Sequence, residues 1–142
     1  MKKIVLLFGL SLFTLNIQAQ VGIEKSNATD SATTERIYDI QQVDKQPKFP
    51  GGITSLQSYI NRSLKYPQIS RENNSQGRVI VRFVINSNGT VTNPQVVRSS
   101  GDFCLDMEAV RVIGSMPKWK PGKYKGKPVC VFFTLPIVFK LQ

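Results

Sequence analysis

Apolar positions along this chain follow two rhythms. Ile53, Leu56, Ile60 and Leu64 recur at helical spacing and form one stripe of an amphipathic helix. Tyr66-Pro67 ends it, because the residue before a proline avoids helical dihedrals. Residues 70–76 read as a polar loop. Residues 78–85 alternate instead: Val79, Val81, Phe83 and Ile85 face one side of a strand, and Arg78, Ile80, Arg82 and Val84 face the other. Asn86-Ser87-Asn88-Gly89 is a hairpin turn, since Asn and Gly accept positive φ. Residues 90–98 return as a second strand, in which Pro94 marks an edge or a bulge. Asp102 stands where it can cap a second helix with the stripe Leu105, Ala109, Val112, Ile113 and Met116, stopped by Pro117. Glu108 and Arg111 pair at i, i+3, and Asp106 joins Glu108 on the exposed flank of that helix. After a basic turn, Val129, Val131, Phe133 and Leu135 alternate with Cys130, Phe132 and Thr134 as a third strand.

The order is α-β-β-α-β. The hairpin makes the first two strands antiparallel, and a helix carries the chain back to the third. An all-antiparallel sheet then needs the first strand in the centre and the other two at the edges. The expected fold is α+β, with two helices on one face of a three-stranded antiparallel sheet. The last strand is an edge whose free N–H and C=O groups can take another strand. Phe132, with Ile80 and Val84, gives the opposite face an apolar character that suits a dimer or partner surface.

The start of the chain has neither rhythm. Lys2 and Lys3 precede an apolar run over residues 4–17, and Ala19 offers a small residue for cleavage. Residues 1–19 read as a secretory signal peptide, with an uncleaved anchor as the alternative. Residues 20–46 are polar, lack proline, and read as a flexible tether. Residues 47–142 are the domain. Export redefines the formal charge of +10. From Pro47 onward there are 14 basic and four acidic residues. In an exported protein such a balance points away from nucleic acid and toward acidic protein segments, anionic headgroups or cell-wall polymers, or simply a solvated face. The basic turn supplies Lys118, Lys120, Lys123, Lys125 and Lys127.

The chain has no histidine, so no Ser-His-Asp or Cys-His pair exists, and two cysteines alone make no zinc site. No enzyme, cofactor or metal is expected. Trp119 reads as core, or a lid over it. An oxidising compartment permits a Cys104–Cys130 disulfide, although the two project to different sides of the sheet.

The ordered pieces also resemble a known family. They are Phe49-Pro50-Gly51-Gly52, Tyr66-Pro67, Gly77-Arg78-Val79 with Val81 and Phe83, Asn88-Gly89-Thr90-Val91, Val97-Arg98-Ser99, and Leu105-Asp106 with Glu108-Ala109. The C-terminal block adds Met116-Pro117-Lys118-Trp119-Lys120-Pro121-Gly122-Lys123, Gly126-Lys127-Pro128-Val129, and Leu135-Pro136-Ile137 with Phe139. Together they resemble the C-terminal domain of TonB, the periplasmic energy transducer of Gram-negative bacteria, in its Bacteroidetes-type version.

The resemblance implies a periplasmic protein-binding module. Its last strand, here Pro128, Val129, Cys130, Val131, Phe132, Phe133, Thr134 and Leu135, would receive the TonB box of an outer-membrane TonB-dependent receptor as an added strand. Alternatives are a membrane-anchored energy transducer and a structural protein binding the cell wall through its basic face. The short, proline-free tether departs from the family's long spacer.

Overall fold

The computed structural model describes residues 35–142. The expected signal peptide and most of the tether lie outside the described residues. One compact unit runs from Arg36 to Gln142. Its elements are β1 (Ile37–Tyr38), α1 (Ile53–Ser63), α2 (Gln68–Glu72), β2 (Gly77–Ile85), β3 (Val91–Arg98), α3 (Phe103–Gly114), β4 (Gly122–Tyr124) and β5 (Lys127–Phe139).

The expected α+β core is present. β2 lies between β3 and β5 and is antiparallel to both. Its register with β5 runs unbroken from Gly77 opposite Phe139 to Ile85 opposite Val131. Alternation therefore sends Val79, Val81, Phe83 and Ile85, with Ile137 and Phe139, to one face, where all are buried. Leu105, Ala109 and Ile113 of α3 and Leu56 of α1 join the same core. β3 is the outer edge. Its ladder with β2 slips twice, once at Val97 and once at Asn93, which holds φ 55, and Pro94. A bulge accommodates the proline there.

α3 begins as read from the sequence. The Asp102 side chain accepts from the amides of Cys104 (2.8 Å) and Leu105 (3.3 Å). The Ser75 hydroxyl first, and those two amides next, hold the Asp102 carboxyl below its usual range. Arg111 pairs with Glu108 at 2.7 Å and also donates to the Ser63 carbonyl at the end of α1 (2.8 Å). Tyr59 of α1 donates to the Val112 carbonyl of α3 (3.0 Å). These bonds lock the two helices side by side over the sheet.

Several elements differ from expectation. Residues 68–72 form α2, which takes in residues 70–72 of the expected loop: Pro67 ends one helix and its fixed φ of −62° starts the next. Asp106 is buried rather than on an exposed flank. Its carboxylate accepts from the Ser99 and Ser100 hydroxyls and from the Ser100 amide (2.9 Å). It thereby ties the β3–α3 loop to the helix. Ile53, the first residue of the α1 stripe, is 67% exposed while Leu56 is buried. The basic turn contains β4, which folds onto the start of β5 through Lys125 and Gly126, both at positive φ. Two Gly-type positions in a row are what a tight two-residue hairpin requires.

The tether also enters the fold earlier than expected. β1 pairs in parallel with β5, Ile37 opposite Cys130 and Tyr38 opposite Val131. Further on, Lys45 bridges Lys123 and Lys48 bridges Lys120. Residues 36–46 are thus built onto the domain.

Candidate docking edge

β5 is the element expected to carry function. Asn86, which follows β2, donates its amide to Thr90 across the hairpin (2.9 Å). Even-numbered positions of β2 therefore turn their backbone to β3, and odd-numbered ones turn theirs to β5. In the unbroken β2–β5 register, odd positions of β5 face β2 and even positions face the other edge. Proline placement agrees: Pro136 stands opposite Ile80, and a proline is tolerated in a paired strand where its missing N–H faces away from the ladder. The outward backbone groups thus belong to Cys130, Phe132, Thr134 and Val138, with Pro128 and Pro136 supplying no donor.

The expected docking residues fall into two groups. Pro128 lies opposite Lys123 and Val129 opposite Gly122 in the β4–β5 hairpin, where Pro128 offers no outward donor. Cys130 and Val131 are buried and already carry β1 on the outward edge. From Phe132 onward, no strand among the described residues pairs with that edge. The open stretch is therefore Phe132, Phe133, Thr134 and Leu135, continuing to Phe139, rather than the whole of 128–135. This correction has a simple cause: the two-residue β1 and three-residue β4 are held by tertiary contacts and carry no period of their own.

Side chains on the open stretch alternate in environment. Phe133 and Leu135 turn toward the core, half-buried. The Phe133 ring lies 5.0 Å from Trp119 and 5.8 Å from Phe83, centroid to centroid. Trp119 is buried, as the sequence suggested. Its ring also meets Phe49 edge-on at 5.5 Å, and its amide donates to the Gly89 carbonyl (2.9 Å). Its indole Nε1 is buried with no hydrogen-bond partner. Beside this cluster lies a cavity of about 400 Å³ lined by Pro47, Phe49, Ile53, Leu56, Trp119 and Phe133, among others. A second hollow follows where the chain turns away after β1, between Asp39–Gln41 and Phe132–Thr134.

The outer face is less apolar than its sequence. The Arg82 guanidinium lies 4.5 Å over the Phe132 ring, and Val84 is buried. Val138 stays 58% exposed. Cys104 and Cys130 form no disulfide. Cys104 sits on the first turn of α3, whereas Cys130 projects to the opposite face, where its thiol lies 3.8 Å from Asn86 Oδ1.

The basic side chains form a separate group. Lys118, Lys120, Lys123, Lys125 and Lys127 are all exposed. Lys45 and Lys48 join them from the preceding segment, which the sequence had not brought together with the turn. The Asp44 carboxylate accepts from the Lys125 amide (2.6 Å), and Tyr38 packs on Tyr124 at 5.1 Å. Among the described residues there is no cluster of metal-ligating side chains, and no helix is long and apolar enough to cross a membrane.

Comparison with known proteins places this domain in a family. The profile of the Gram-negative bacterial TonB protein C-terminal domain matches residues 62–141, from the end of α1 through β5. Protein TonB of Vibrio cholerae serotype O1 is 32% identical over 78 residues, 55% of this chain and 32% of that protein. Protein TonB of Helicobacter pylori is 28% identical over 123 residues, 84% of this chain and 39% of that protein. The chain thus spans well under half the length of these relatives. The solution structure of the Helicobacter pylori TonB C-terminal domain superposes with a TM-score of 0.50 at 26% identity, covering 63% of this chain and 79% of that one. The fold, the order of its elements and the matched residues agree, and the chain belongs to the TonB C-terminal domain family.

Proposed function

We propose that this protein is a periplasmic TonB-like module that binds extended segments of outer-membrane TonB-dependent receptors by strand addition to β5. The observation that carries the reading is the outward edge of β5 from Phe132, which has no strand partner among the described residues. β1 lies on the same edge as a parallel strand, so the edge accepts one sterically. Outward N–H and C=O groups at Phe132 and Thr134 would supply main-chain bonds. The cavity beside Phe133 and Trp119 would take one inward side chain of the partner. A partner longer than this window displaces β1 and adds Cys130 to the register.

The test is a photo-crosslinking side chain placed at Thr134 in cells, with the same probe at Gln95 on the β3 edge as control. An outer-membrane receptor should be captured from Thr134 and not from Gln95. Capture from Gln95 alone, or from neither position, sinks the assignment of β5. A second substitution, Thr134→Pro, should abolish co-purification of the receptor while leaving the β2 ladder intact, because position 134 turns its N–H outward.

A further inference from the structure

Seven lysines and no arginine occupy one region of this domain. Lys45, Lys48, Lys118, Lys120, Lys123, Lys125 and Lys127 lie on the segment 45–48 and on the stretch 118–127, all exposed. The described arginines stand elsewhere, at position 36 and between positions 62 and 111. The lysines are also held close. Lys45 faces Lys123 and Lys48 faces Lys120 across antiparallel bridges. Each bridge exchanges both backbone bonds, at 3.1 and 2.9 Å for the first pair and 3.0 and 2.8 Å for the second. Residues paired that way sit about 5.5 Å apart at Cα, and like charges directly opposite destabilise a ladder.

No ion pair among the described residues relieves the repulsion. The only ion pair among the described residues is Arg111 with Glu108. Asp44, next to Lys45 in sequence, is engaged with the Lys125 amide. The four opposed lysines, with Gln46 and Pro121, line an open hollow of about 620 Å³. A bound anion would remove the strain that the backbone pairing imposes. Lysine is a compact point charge that meets phosphate oxygens from any direction, so a loose array of lysines suits mobile headgroups without the fixed bidentate geometry that arginine's fork imposes. The charges are spread over a ribbon and the hairpin beyond it, which matches a surface of many phosphates better than one enclosed group.

We propose that this lysine ribbon is a docking surface for anionic phospholipid headgroups. It acts independently of strand addition at β5. Each lysine brought to an anionic bilayer strengthens binding about fivefold, so the four opposed lysines together should account for at least about a hundredfold.

The test measures partitioning of the full chain onto vesicles of phosphatidylglycerol in phosphatidylcholine, and onto phosphatidylcholine alone. Any contribution of the N-terminal run, with Lys2 and Lys3, is the same in parent and variants and cancels between them. K45Q/K48Q/K120Q/K123Q should lose the phosphatidylglycerol-dependent part by at least about a hundredfold, and R98Q should keep it. The parent's affinity should fall steeply with salt, a reading that needs no variant. Inorganic phosphate at matched ionic strength should not displace the protein. Equal partitioning of the quadruple variant, a salt-insensitive parent, or equal binding to both vesicles overturns the proposal. Displacement by inorganic phosphate does so as well, by assigning the ribbon to free phosphate.

Discussion

Gly89→Ala tests how the hairpin tip seats the aromatic cluster under β5. Gly89 holds φ +92, and a Cβ there would lie 2.2 Å from the Trp119 carbonyl oxygen. Ordinary contact begins near 3.4 Å, so the carbonyl must retreat by about 1 Å or the turn must reopen. Three costs follow. An L side chain in this backbone region is strained by about 1–3 kcal/mol. The bond from the Trp119 amide to the Gly89 carbonyl, 2.9 Å long, is worth about 1 kcal/mol. The Trp119 ring shifts off Phe133 and Phe83, at about 0.5–1.5 kcal/mol per aromatic pair. Gly101 separates the terms, because it has φ +97 and nothing within 4 Å of its added Cβ. Gly101→Ala therefore reports backbone strain alone. Gly89→Ala should be less stable than Gly101→Ala by about 2–4 kcal/mol, a further fall in Tm of roughly 10–25 °C for a domain of this size. Thermal unfolding followed by circular dichroism gives Tm. Fluorescence of the single tryptophan reports the ring's environment and should shift to the red. If the two variants melt together with unchanged emission, the Gly89–Trp119 contact does not seat the cluster.

Acid should weaken the fold through two carboxyls. Asp102 and Glu108 both titrate below their usual values of 3.8 and 4.5 in the folded protein. Burial would raise Glu108, but the Arg111 guanidinium and the Lys65 amide outweigh it. A lowered folded pKa gives stability that is complete above the unfolded value and is lost as pH falls through the folded one. Denaturant midpoints should therefore be flat above about pH 5.5 and fall below about pH 4, with the fall reduced in Asp102→Asn. Arg111→Ala removes the Glu108 pair and the bond to the end of α1, and chemical denaturation should show a loss of about 1–2 kcal/mol. Tyr38→Ala removes the packing on Tyr124 that holds β1. Hydrogen exchange at Cys130 should accelerate, and crosslinking to a receptor through Thr134 should rise rather than fall.

Much of this fold was legible because its central parts are periodic. The alternation of β2 and the stripe of α3 each fix a face without help from the rest of the chain. Asp102 was legible as a cap because a cap is a local device. What escaped notice was held by distant partners. β1 is two residues long and exists because β5 offers an edge and Tyr124 offers a ring. β4 hides among Pro, Gly and Lys, whose composition signals only a turn. Asp106 looked exposed from its helical position, yet the Ser99 and Ser100 hydroxyls draw it inward. The last strand itself was identifiable as an edge; the length of its open stretch was not, since that depends on which residues lie beside its first half. Lys45 and Lys48 meet Lys123 and Lys120 only once the segment before α1 crosses to β4.

The two prolines of β5 set a limit on what the edge can do. Lacking donors at Pro128 and Pro136, and with β1 already beside Cys130, it leaves amides at Phe132 and Thr134 open and then stops short of Val138. At about 1 kcal/mol net per main-chain bond, that is a grip of a few kcal/mol, easily released and remade. It is also too short to template a growing stack. Under the proposed strand addition, it suits one guest strand at a time.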